Sequence, residues 1–123
     1  MSLPKLPLDP FPYKRDLRSR RISHDLADGV YVQDLAGDVY VLPDEGHVHA
    51  KVLGNGVPAL YAGDLQIVSG EIVDLTNLSG TFQFDDPRTL CSVADRLVQR
   101  NFAMAEGAIR FFPMDGSTPY IIE

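Results

Sequence analysis

The residue types best able to do chemistry fall between Gly46 and Phe82. His47 and His49 stand two apart, so on a strand both imidazoles leave the same face about 7 Å from one another. Such a pair holds a metal ion when a third ligand, here His24, Asp44 or Glu45, approaches. No cysteine or third motif residue accompanies the pair, so neither a metal nor a cofactor is expected. His49 is also the candidate general base, with Ser79, Thr81 or Tyr61 as a hydroxyl partner and Asp64 as an orienting carboxylate. His47, His49, Tyr61, Thr81 and Phe82 outline the corresponding ligand pocket. The competing expectation for His49 is a plain hydrogen bond from a half-buried imidazole to the backbone of a neighbouring turn. Neither the GxSxG nucleophile pattern nor HExxH occurs.

Gly54-Asn55-Gly56 and Ser79-Gly80-Thr81 have backbones able to cradle an anion. Neither lies between a strand and a helix, so both read as ordinary turns. Asp85 and Asp86 form a carboxylate pair that a helix start already explains through capping and the helix dipole. Cys91 lies one turn into that helix, where the positive end favours a thiolate; with no His or Cys at a telling distance it reads as an inert, half-buried thiol. Tyr31, Tyr40, Tyr61, Phe82, Phe84, Phe111 and Phe112 can floor a groove or an interface, and most are expected in the core.

The elements that must position these groups follow from periodicity. Residues 1–13 are extended and broken by prolines. Residues 14–26 suggest a short helix, although Ser23 or Asp25 equally begins a turn. From Gly29 the period becomes two: residues 30–33 and 39–42 read as strands around the loop 34–38, and Pro43 ends the second. His47 to Leu53 reads as a further strand. Residues 64–68 and 71–75 form a tight hairpin on Ser69-Gly70, with Leu65 and Ile67 on one face and Gln66 and Val68 on the other. Then the period becomes helical. Asp85 or Asp86 caps, Pro87 takes the first position, and apolar residues recur from Leu90 to Ala105, with Gly107 as the stop. Residues 108–112 and 120–122 close the fold as strands around the turn 113–117. The expected architecture is α+β: a mostly antiparallel β-meander packed against one long helix in the C-terminal half, with closing C-terminal strands.

The 123 residues, 45% hydrophobic and 23% charged, suit one soluble domain with one core. Residues 1–22 read as a basic, Pro-rich arm and 23–123 as the domain. Up to Arg21 the arm carries six bases against two acids, a net +4, leaving fifteen acids against five bases, a net −10, for the rest. Opposite charge favours an arm docked on its own body or on a neighbouring subunit. The acidic body makes nucleic acid an unexpected partner. A single cysteine, no apolar run of spanning length and no secretory leader together lead to the expectation of a cytoplasmic protein without membrane contact.

Residues 30–112 resemble a segment of plant IQ-motif calmodulin-binding proteins and of some bacterial toxin-like and effector proteins. The matching positions are Tyr40-Val41, His49, Gly54, Gly56, Ala62-Gly63-Asp64, Gly70, Ser79-Gly80 and Asp85-Asp86 with the helix that follows. Where that segment has His-Ser-Ser, this chain has His49-Ala50-Lys51, and Ser-Gly-His-Tyr becomes Ser79-Gly80-Thr81-Phe82. Turns are kept and polar groups lost, so the resemblance implies a shared scaffold more than a shared chemistry. The reading is a non-catalytic module for binding, self-association or accessory work, with a second copy or another protein as partner. The contrasting reading is a small enzyme or ligand-binding protein with its pocket at His49 and the Ser79-Gly80-Thr81 turn.

Overall fold

In the computed structural model, which describes residues 4–6, 15–23, 28–43, 49–54, 57–79, 82 and 84–122, the sheet begins with β1 (Arg20–Arg21). A hairpin of β2 (Asp28–Gln33) and β3 (Val39–Leu42) follows, then one helical turn, α1 (Ala50–Leu53). The second hairpin joins β4 (Tyr61–Val68) to β5 (Glu71–Thr76) and leads to the helix α2 (Pro87–Gln99). The chain closes with β6 (Ala103–Met104), β7 (Ile109–Phe111) and β8 (Tyr120–Ile121). Among the described residues all strands join one open sheet in the order β1-β3-β2-β4-β5-β7-β8, with β6 also beside β5. The fold is α+β and mostly antiparallel, as the periodicity requires. The parallel pairings, β5 with β6 and β5 with β7, arise because α2 carries the chain across the sheet before it returns.

The hairpin chemistry is that expected. Ser69 and Gly70 both take positive φ, 51° and 78°, which is what the right-handed strand twist asks of a two-residue loop. Leu65 and Ile67 are buried, whereas Gln66 and Val68 are exposed. Val30, Tyr31 and Val32 are consecutive and all buried, so both faces of β2 are covered. Leu90, Val93, Ala94 and Leu97 give α2 one buried stripe toward the sheet. No helix among the described residues is long and apolar enough to cross a membrane.

Three expected elements differ. The described part of residues 14–26 is a turn followed by β1, because Asp16 draws in the Arg18 N–H at 2.8 Å and the Arg18 Nε at 3.1 Å. His49 is not on a strand: it immediately precedes α1, and the Val52 N–H bonds its carbonyl at 3.0 Å. The long helix stops at Gln99 instead of continuing through Phe102 and Ala105. Asn101 takes φ 71°, its N–H bonds the Val98 carbonyl at 3.0 Å, and the Phe102 N–H bonds the Leu97 carbonyl at 3.1 Å. This is a Schellman end, with Asn where Gly is usual, and it satisfies the last carbonyls. Gly107, expected as the stop, instead turns the chain between β6 and β7 at φ 74°.

The described arm residues lie on the chain's own body. Lys5 and Ala59 exchange backbone hydrogen bonds of 2.8 Å each, and the Lys5 ammonium lies 5.3 Å above the Phe84 ring. Arg20 and Arg21 pair with Val41 and Tyr40, and the Arg15 and Arg21 guanidiniums lie 5.3 and 5.8 Å from the Tyr40 ring. Backbone ladder and aromatic faces therefore hold this arm as much as charge does.

Candidate functional site

The His49 group is assembled by α1 and β4. Its imidazole is only 3% exposed, with Nε2 2.9 Å from the Gly63 carbonyl and 4.0 Å from Asp64 Oδ1. A carbonyl oxygen can only accept, so Nε2 carries a proton and donates it to Gly63. The bond to backbone expected as the alternative is thus present, although its acceptor lies in strand β4 and not in a turn. Asp64 itself is tied in: its N–H donates to Thr76 Oγ1 at 3.1 Å.

Of the other residues of the expected pocket, Tyr61 and Phe82 are described, and both belong to the core. Tyr61 donates its hydroxyl to the Asp86 carbonyl at 2.9 Å and stacks on Phe84 with ring centroids 4.8 Å apart. Burial, then the nearby Asp86 and Asp85 charges, raises the Tyr61 phenol well above its ordinary range. Ser79 Oγ accepts from the Phe82 N–H at 3.1 Å, and the Phe82 ring is buried in the core. His47, His24, Asp44, Glu45, Gly80 and Thr81 lie outside the described residues.

The other polar candidates serve the fold. Asp86 caps α2 by accepting from the Arg88 N–H at 2.9 Å and the Thr89 hydroxyl at 2.8 Å, while Asp85 accepts from the Met114 N–H at 3.0 Å. Gly54, at φ 77°, is where the arm passes: a Cβ there would overlap the Arg15 backbone. The Cys91 thiol is pushed up by burial and by Asp95 and Asp86, which keeps it from ionising. Tyr31, Tyr61, Phe82, Phe84 and Phe111 are core residues.

A different constellation, without a sequence motif of its own, forms a cleft at the end of α2. Asp34 Oδ1 accepts from the Ala36 N–H at 3.0 Å and from the Asp38 N–H at 2.9 Å, and this loop presents Asp38 at the start of β3. Arg96 and Arg100 are one helical turn apart, so both leave the same side of the end of α2. Arg21 arrives from β1. The three guanidiniums converge on Asp38: Arg100 Nη2 at 2.7 Å, Arg96 Nη2 at 3.2 Å and Arg21 Nη2 at 3.6 Å. Beneath and beside them Ile22, Val39, Leu97 and Phe102 complete a cavity of about 280 Å³. Burial works to raise the Asp38 carboxyl. The Arg96 hydrogen bond and the Arg21 and Arg100 charges outweigh it, and the net effect lowers it. Arg96 Nε is buried with no acceptor among the described residues. The legible signal was the four-residue Arg96–Arg100 spacing at a helix end; nothing in the sequence joined it to Arg21 or Asp38.

No protein-family model, no curated protein and no solved structure matches this chain.

Proposed function

We propose that the protein is a non-catalytic binding module whose working surface is the Arg21–Arg96–Arg100 cleft, and that it recognises an anionic group there. One observation carries this reading: three guanidiniums converge on a single carboxylate at a cavity of about 280 Å³. Among the described residues the three guanidiniums outnumber the Asp38 and Asp34 carboxylates, a positive surplus in a chain whose net charge is −6. Forked guanidiniums suit carboxylate and phosphate oxygens, and a concave site with few convergent polar groups is the usual form of a small-ligand pocket. At His49, Nε2 and the Tyr61 hydroxyl are each committed to a backbone carbonyl, which favours an architectural part for these two groups.

The test is a ¹⁵N-resolved NMR titration with sulfate against chloride at constant ionic strength. Saturable shifts confined to the amides of Arg21–Ser23, Asp38–Val39 and Arg96–Phe102 are expected. Shifts that scatter over the surface, or that centre on His49 and Gly63, would remove the cleft as the working surface.

A further inference from the structure

The charge balance and the walls of the cleft narrow the ligand further, given the anion-binding reading above on which this step rests. We infer that the cleft takes a small organic phosphate monoester, with its phosphate among the arginines and a short apolar stem on the floor.

The surplus is the first argument. Among the described residues Arg21, Arg96 and Arg100 stand against Asp38 and the neighbouring Asp34, a net +1, and a carboxylate has only two acceptor oxygens for the three guanidiniums. A phosphate monoester carries close to two negative charges above its second pKa of about 6 and offers three acceptor oxygens. The second argument is directional. The guanidiniums approach from two elements, Arg21 from β1 and Arg96 with Arg100 from the end of α2, and each meets Asp38 through Nη2. A tetrahedral group with oxygens on several sides can bridge forks arriving from different directions, whereas a planar carboxylate matches one fork at a time. Val39, Leu97 and Phe102 are buried behind the cavity and Ile22 is half-buried, so the apolar surface a stem would meet is chiefly that of Ile22, for which a bare inorganic ion has no use. A volume of about 280 Å³ has room for a phosphate with a short stem. Finally, two of the carbonyls that would repel an anion at a helix C-terminus, Val98 and Leu97, already accept from the Asn101 and Phe102 N–H groups.

The experiment is calorimetric titration of the full chain at pH 7.5 and fixed ionic strength with n-butyl phosphate, pentanoate and inorganic phosphate. Butyl phosphate is expected to bind with 1:1 stoichiometry, at least tenfold tighter than either of the others. Arg21→Gln and Arg100→Gln, both at exposed side chains, should each weaken it at least tenfold. Arg88→Gln, at the opposite end of α2, should leave it unchanged. Pentanoate binding as tightly as butyl phosphate overturns the phosphate assignment and leaves the anion-binding reading standing. Inorganic phosphate binding as tightly as the monoester overturns the role of the floor. Butyl phosphate affinity that survives both Arg21→Gln and Arg100→Gln, in variants whose circular dichroism matches the parent, places the ligand elsewhere and overturns the inference. No heat with any of the three anions overturns the inference and the reading beneath it.

Discussion

The Tyr31 hydroxyl donates to the Thr76 carbonyl at 2.6 Å, reaching from β2 across β4 to β5. It can do so because Gly63 stands opposite Tyr31 in the middle strand, where a Cβ would overlap the Thr76 oxygen. Tyr31→Phe should therefore cost about 1–3 kcal/mol, by stranding a buried carbonyl. Gly63→Ala should cost more, because backbone has to move. Urea denaturation measures both, and a Gly63→Ala protein as stable as the parent would contradict this packing.

Alkali offers a second check. Burial, reinforced by neighbouring negative charge, raises the phenols of Tyr31 and Tyr61. Groups held neutral in the folded state contribute fully below the unfolded value of about 10, and that contribution is lost as the pH rises beyond it. Absorbance at 295 nm should show that two of the five tyrosines ionise only as the far-ultraviolet dichroism collapses. Smooth ionisation of all five in the folded protein would be the contrary result.

Acid acts on Asp38, whose carboxyl is held low by its arginines despite the burial that opposes them. Its contribution is present above the unfolded value of about 3.9 and is lost as the pH falls through the lower folded value. The arginines are partly exposed, so Asp38→Asn should cost about 1 kcal/mol or less near pH 7, with the difference vanishing once the pH has fallen through the lowered folded value. Thermal melts of parent and variant between pH 2 and 7 measure this. A penalty that persists at pH 2 would assign it to packing instead.

Asn101 makes a third site testable. Its φ of 71° suits glycine best and β-branched residues worst. Asn101→Gly should hold or raise the melting temperature, whereas Asn101→Val should destabilise by about 1–2 kcal/mol. Equal melting temperatures for the two variants would mean that the helix end tolerates a different conformation.

Much of the framework was readable from the chain because local chemistry and tertiary packing agree there. Ser69-Gly70 can hardly do other than turn a hairpin, and Asp86-Pro87 cap and begin a helix as their side chains dictate. The errors came where an apolar spacing outlasted the element. Phe102 and Ala105 keep a helical interval from Val98, yet the chain between them has already left the helix at Asn101 and paired with β5. Similarly, His49 to Leu53 alternates like a strand, but the backbone instead closes a turn on the His49 carbonyl. The cleft was illegible for another reason. Arg21, Asp38, Arg96 and Arg100 belong to three separate elements, and only the docking of β1 onto β3 and the seating of α2 bring them together.

That docking has a consequence for handling the protein. β1 covers one outer margin of the sheet with two arginines, and behind it lies the Val39-Tyr40-Val41-Leu42 ladder, uncharged and rich in residues that favour intermolecular strand pairing. A chain trimmed after Arg21 would bare that ladder, and the oligomers or fibrils it formed would report a lost guard strand, not a native assembly.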